Sequence, residues 1–330
     1  MSLLSTPVRV RGLELKNRLI LPPMAVVKGD EKNFVTDDTC TYYREKGAMG
    51  FGLIVTEHWF VSREGQASAT QLSAARPEDL EGMKRIADAV HNGDTPVFAQ
   101  LNHAGAAAFR DVTGLTPMGP SETHCPGLGD QDRMPHVMTK DDILRVTDAF
   151  VRAARMAQAA GFDGVEIHAA HAYLLCEFFS PLMNLRTDEY NGSTIEGRTR
   201  FALEVIRAVR DTVGRDYPLS LRLGGWDCME GGSTPEDAAA AAKLYEAAGI
   251  DLFDVSGGLC YYRNPLNHEP GYFAEETRAV KAAVSAPVVL AGGITAPSDA
   301  ERFLADGSAD LIGAGRVFIK ASSGVADWLR

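Results

Sequence analysis

Eight short apolar, β-branched runs recur along the chain, each followed by a longer amphipathic stretch, and this alternation constrains the fold more than any other feature. The runs are 18–21, 52–56, 96–100, 164–168, 219–223, 252–256, 288–291 and 310–313. Runs that are apolar on both faces suit strands of a parallel sheet, because crossover helices cover such a sheet on both sides. The stretches between them carry helix punctuation. Thr139 stands as an N-cap ahead of Asp141 and Asp142; Ile143, Thr147, Phe150, Ala154 and Ala157 share one face, and Gly161 ends the run. Glu196–Val213, Pro235–Ala248, Phe273–Val284 and Pro297–Ala305 repeat the plan, with Pro235 and Pro297 near helix starts, where a missing N–H costs no bond. Strand then helix, eight times, leaves two closures: a (β/α)8 TIM barrel or an interrupted doubly wound sheet. A barrel takes roughly 250 residues, which leaves about 80 for insertions. The Gly-, Pro-, Thr- and His-rich segment 104–138, after the third strand, is the main one. No linker or low-complexity tract divides the chain, so residues 1–330 read as one α/β domain with 104–138 as an active-site loop.

Composition narrows the partners. Lysine and arginine total 33 against 44 acidic residues, a net charge of −11, which argues against the basic face that nucleic-acid binding needs. No apolar run approaches the roughly 18 residues of a membrane span, and the first residues lack the apolar core of a signal peptide. The five cysteines (Cys40, Cys125, Cys176, Cys228, Cys260) are scattered, with no CxxC. They point to a reducing compartment, so a cytoplasmic location is expected, and they supply no zinc or iron–sulfur framework.

Barrel active sites lie at the C-terminal ends of the strands, so the residues there carry the functional argument. Thr56, Glu57 and His58 end the second strand, Gln100, Asn102 and His103 the third, and His168, His171 and Tyr173 the fourth. Arg222 lies in the fifth, Ser256-Gly257-Gly258 follows the sixth, Gly292-Gly293 the seventh and Gly313-Ala314-Gly315-Arg316 the eighth. Turn geometry alone accounts for most glycines taken singly, but not for two arginines, four histidines and a glutamine at one mouth. The paired glycine turns after strands seven and eight are where barrels commonly hold phosphate on backbone N–H groups, and Arg316 adds a bidentate cation. His168 and His171, three residues apart, admit three readings. They are a zinc pair completed by His103 or Glu57, although no HExxH or cysteine spacing accompanies them; or donors to an oxygen that gains charge; or ordinary buried histidines. Tyr173 is positioned as a proton donor to the same pocket. The Asn184–Ser193 segment reads as a polar turn before a capped helix, with Arg186 pairing locally with Asp188.

The stretch Gly161–Leu175, followed by Phe179-Ser180-Pro181, Asn184 and Arg186–Ser193, resembles the signature of the Old Yellow Enzyme family of FMN-dependent ene-reductases. It is similar to the branch of thermophilic-like enzymes and the barrel domain of 2,4-dienoyl-CoA reductase. Lys16-Asn17-Arg18, Pro22-Pro23-Met24, Gln100–Gly105, Gly292-Gly293-Ile294 and Gly315-Arg316 extend the resemblance from about residue 4 to 318. It implies a bound FMN. Gln100 would bond the pyrimidine edge, and Arg222 would lie by N1 and C2=O. Gly292, Gly293, Gly315 and Arg316 would hold the phosphate, and the backbone of Pro23, Met24 and Ala25 would pack on the ring. His168 and His171 would grip the carbonyl oxygen of an α,β-unsaturated substrate, Tyr173 would protonate the α-carbon, and NADH or NADPH would reload the flavin.

The chain departs from the family pattern at several points. Ala25 stands where many relatives place Cys or Thr, and His58 where they carry a small residue, so His58 and His103 become candidate pocket residues. Ala106 replaces the Arg of the His-Ala-Gly-Arg motif, Ala172 replaces the glycine before Tyr173, and Asn191 replaces a glycine after Tyr190. A shifted Tyr173 loop is one expected consequence. The resemblance implies the barrel alone, without the cysteine cluster and second nucleotide domain of the large relatives, and is compatible with a homo-oligomer. The alternatives are an FMN barrel working in the oxidative direction, a metal-dependent lyase or hydrolase using His168 and His171, and a non-catalytic flavin-binding module.

Overall fold

The computed structural model describes residues 2–126, 134–319, 321 and 324–330. A short antiparallel hairpin, β1 (Val8–Val10) and β2 (Leu13–Leu15), comes first. The eight anticipated repeats follow: β3 (Leu19–Leu21) and α1 (Asp37–Gly47); β4 (Leu53–Phe60) and α2 (Asp79–His91); then β5 (Val97–Asn102). The segment after β5 holds a short helix α3 (Arg110–Thr113) and two residue pairs in strand pairing, β6 (Met118–Gly119) and β7 (His136–Val137). The series continues with α4 (Lys140–Ala159), β8 (Gly164–Ala169), α5 (Leu174–Phe179), α6 (Ile195–Val213), β9 (Leu219–Gly224), α7 (Pro235–Ala248) and β10 (Leu252–Ser256). It ends with α8 (Ala274–Ala283), β11 (Val288–Ala291), α9 (Pro297–Ala305), β12 (Leu311–Gly313) and α10 (Arg316–Ile319).

β3, β4, β5, β8, β9, β10, β11 and β12 pair in parallel in that order, and β12 returns to β3. The sheet is therefore a closed (β/α)8 TIM barrel; the doubly wound alternative, which leaves two open edges, is excluded. Local chemistry sets the helix boundaries. Thr139 caps α4 through the Asp142 N–H, with the Asp142 carboxylate reaching back to Thr139. Thr234 does the same for α7, which has Pro235 in its first turn and Gly249 in the left-handed conformation at its end.

Because both faces are buried, each strand looks uniformly apolar in sequence, yet it alternates in space. Leu219, Leu221 and Leu223 of β9 face the helices while Ser220 and Arg222 face the lumen. The lumen is layered along its axis. Ile20, Leu53, Val55, Phe98, Leu252, Val289 and Leu311 form an apolar floor, which Val10 and Leu15 of the hairpin plug from below. Above that floor the inward positions turn polar: Gln100, Glu166, Ser220, Arg222 and Asp254, then His58, His168 and Ser256. This gradient opens the site at the C-terminal end of the strands.

Candidate active site

A cavity of about 450 Å³ opens at that end, within the range of small-ligand sites. Its walls include Pro23, Met24, Ala25, His58, Gln100, His168, His171, Tyr173, Arg222, Gly292, Gly293, Gly315 and Arg316. Strands distant in sequence thus bring these groups to one place. His103 is not among them. β5 turns Phe98, Gln100 and Asn102 inward, and His103, one residue on, packs against Gly65 with its Nδ1 accepting from the Gly105 N–H at 3.1 Å. None of the described residues of 104–138 lines this cavity.

His168 is 3% exposed, and the Ala170 N–H donates to its Nδ1 at 3.2 Å. In the neutral ring the proton therefore sits on Nε2. His171 lies 5.1 Å away, centroid to centroid, and its Nε2 meets Ser256 Oγ at 2.7 Å. Ser256 Oγ also accepts a long, 3.5 Å contact from Arg222 Nη2; when its hydroxyl donates to Nε2, the His171 proton sits on Nδ1. Burial holds both rings well below the usual histidine range, with Arg222 adding to the effect, and burial likewise pushes His58 down to about 4. All three are neutral at physiological pH. Tyr173 stands 5.0 Å from His168 and 5.4 Å from His58, and burial pushes its phenol up to about 12, so it keeps its proton. Ala172 takes a left-handed φ of 57° without being glycine, and the Tyr173 ring lines the cavity.

Below these rings, Arg222 Nε lies 3.6 Å from Asp254 Oδ2, and both side chains are nearly inaccessible to solvent. Arg222 Nε and Asp254 Oδ1 have no hydrogen-bond partner among the described residues. A buried guanidinium with a spare N–H suits a ligand edge that carries or gains negative charge. At the far end, Gly292 and Gly293 have φ of 124° and 70°, and a Cβ at Gly293 would sit 2.7 Å from the Tyr272 ring. The Tyr272 hydroxyl accepts from Arg316 Nη2 at 2.8 Å and donates to the Tyr262 carbonyl at 2.8 Å. Tyr272 and the mouth residue Tyr262 went unanticipated; a lone tyrosine in a loop has no periodicity to betray it. The residues present fit FMN: the Arg222 cation and the Gln100 amide would meet the polar edge of its ring, and glycine-lined backbone beside Arg316 would meet the phosphate.

Glu57 faces elsewhere. A register irregularity in β4 between Val55 and His58 reverses the alternation, turning His58 into the lumen. Glu57 lies against Tyr43, whose hydroxyl is 3.4 Å from Oε1, and receives the Val27 N–H at 3.4 Å. Among the described residues no group of three or more His, Cys, Asp or Glu side chains is arranged to hold a metal ion, and Cys40, Cys176, Cys228 and Cys260 are free thiols. No helix among the described residues is long and apolar enough to cross a membrane. Arg186 pairs with Asp188 at 2.5 Å, as its spacing suggests.

Residues 3–325 match the NADH:flavin oxidoreductase / NADH oxidase family. An NADH oxidase of Thermoanaerobacter brockii is 37% identical over 94% of this chain and 48% of its own length. A 2-naphthoyl-CoA reductase in complex with 2-naphthoyl-CoA superposes with a TM-score of 0.88 at 30% identity, covering 95% of this chain and 50% of that one. An old yellow enzyme homologue from Zymomonas mobilis gives 0.84 at 28% identity, covering 97% and 90%. The chain spans about half the length of the first two. It therefore belongs to the NADH:flavin oxidoreductase / NADH oxidase family, the Old Yellow Enzyme type of flavoenzyme, with FMN as its cofactor and NADH or NADPH as the family's reductants.

Proposed function

We propose that the chain is an ene-reductase that uses NADH or NADPH to saturate the C=C bond of an α,β-unsaturated carbonyl compound. The observation that carries this reading is the His168–His171 pair beside Tyr173, two neutral donors and one phenol around a single point above Arg222. Bound FMN supplies two-electron hydride chemistry between nicotinamide and substrate. His168 Nε2–H and His171 Nδ1–H hold the substrate carbonyl oxygen and stabilise the charge that develops on it, which makes the β-carbon electrophilic. Tyr173 gives its proton to the α-carbon. Gln100 and Arg222 hold the pyrimidine edge, Pro23, Met24 and Ala25 pack on the ring, and Gly292, Gly293, Gly315 and Arg316 hold the phosphate. His58, bonded to Asn102 at 3.1 Å, forms the pocket wall between Gln100 and Tyr173.

Anaerobic half-reactions separate this from the oxidative alternative. The purified FMN-loaded chain should bleach on NADH or NADPH and recover its yellow colour on adding a cyclic enone, with the saturated ketone as product. Bleaching by a saturated ketone or an N-methyl amine, together with no reoxidation by the enone, would reverse the assignment.

A further inference from the structure

One buried acid in the lumen has no part in the chemistry described so far. Glu166 lies on β8 beneath the cavity, completely inaccessible to solvent. Its Oε1 receives Gln100 Nε2 at 2.9 Å and its Oε2 receives the Ser220 hydroxyl at 2.8 Å. The register pairs Glu166 with Gln100 on one side and Ser220 on the other, and Arg222 with His168 and Asp254 two residues further along. The barrel therefore buries two carboxyl groups and one guanidinium in adjacent rows of the dry lumen, with Gln100 beside Glu166.

We propose that Glu166 is a positioning residue for the flavin: by holding or releasing a proton it decides which end of the Gln100 amide faces the pyrimidine edge. The argument is hydrogen-bond bookkeeping. An ionised Glu166 only accepts, so Gln100 must give it an N–H and turn Oε1 upward, where it receives a ring N–H. A protonated Glu166 has one O–H to give. Ser220 bonds to no other side chain among the described residues, so its own hydrogen has nowhere else to go and stays on Glu166. The Glu166 proton then goes to the Gln100 carbonyl, which turns the amide over and offers NH₂ to a ring carbonyl or to a developing anion. The Glu166 O–H is the one covalent bond that breaks or forms, and its proton is exchanged with solvent.

Burial favours the proton. Burial and then the neighbouring Asp254 push Glu166 up to about 8, against the opposing pull of Arg222, Ser220 and Gln100. His168 above it and His58 across from Gln100 are both held neutral, so Arg222 and Asp254 are the other charges that face it. Reduction of the flavin adds negative charge at the pyrimidine edge, so Glu166 holds its proton to higher pH in the reduced enzyme than in the oxidised one.

The inference rests on the flavin lying over Gln100 as proposed above, and two measurements keep the two failures apart. Infrared difference spectra of parent and Glu166→Gln, with and without FMN, test the proton itself. The parent should show a protonated-carboxyl band at pH 7 that the variant lacks; no such band would overturn the proposal whatever the flavin does. Potentiometric titration of the holoenzymes tests the coupling. The midpoint potential of the parent should fall more steeply with pH above about 8, and Glu166→Gln should lose that extra slope. A variant that keeps it assigns the break to another group and sinks the proposal. Ser220→Ala, which removes one donor to the carboxylate, should move the same break to higher pH and guards against a misfolded Glu166 variant; an unmoved break also counts against it.

Discussion

Burial keeps His168 and His171 uncharged, the Ala170 N–H donates to His168 Nδ1 at 3.2 Å, and His171 Nε2 meets the Ser256 hydroxyl at 2.7 Å, which is what suits them to the proposed role of oxygen donors. Neutral donors already aimed at one point need no reorganisation as charge develops on the bound oxygen. Replacing both with alanine should leave FMN bound and weaken phenolate ligands by about 100-fold or more, since loss of a single oxyanion donor costs on that order. Titration of the long-wavelength charge-transfer band reads this, and an unchanged affinity would remove the oxygen-binding role. These residues were legible because they are chemically rare and sit at strand ends. His103 has the same credentials, yet its position one residue past Asn102, the last inward residue of β5, turns it away from the lumen. Rarity identifies candidates; only parity along a folded strand selects among them.

At the level of elements, the turn from β8 into α5 places two consecutive non-glycine residues, His171 and Ala172, at φ of 58° and 57°. A left-handed conformation costs a residue with a Cβ on the order of 1–2 kcal/mol. Ala172→Gly should therefore raise stability by about 1 kcal/mol, seen as a higher urea midpoint with an unchanged slope, while Tyr173 stays in place. A lower midpoint would show that packing of the Ala172 methyl in its buried cluster with Ala106 and Leu259 outweighs the strain. The sequence shows that glycine is absent here, but not that Ala172 takes a left-handed turn. Nor does it show the β4 irregularity that sends His58 inward and Glu57 toward Tyr43, because an extra residue in a strand leaves no mark in an apolar run.

Over the whole molecule, buried ionisable groups set a pH dependence. His58, His103, His168 and His171 are all lowered by burial, so their contribution is present above the unfolded value of about 6.5 and is lost as pH falls toward their folded values. Glu57, Glu166 and Glu276 are raised by burial to about 7, 8 and 8. Their contribution is complete below the unfolded carboxylate range and is lost as pH rises through those values. The two sets oppose each other below 6.5; above it only the carboxyls still titrate. The urea midpoint of the apoprotein should accordingly fall between pH 6.5 and 8. Each carboxyl contributes up to about 1.4 kcal/mol per pH unit while the unfolded chain is ionised and the folded one is not. Glu276→Gln should flatten the decline, because both oxygens of that buried side chain lack a hydrogen-bond partner among the described residues. A midpoint that rises across this window would contradict the picture.

The order of strands and helices, their punctuation and the polar residues at strand ends follow from local rules: propensity, capping and hydrophobic runs act over a few residues, so the chain carries them in plain view. Closure of the sheet was one of two outcomes those rules allowed, and pairing of β12 with β3 across nearly the full chain decided it. The inward rows of Glu166 with Ser220 and of Arg222 with Asp254, the placement of Tyr272 against Gly293 and the reversal in β4 belong to the same tertiary level. Each depends on which residues from separate strands share one level of a closed lumen, and that is a property of register in three dimensions.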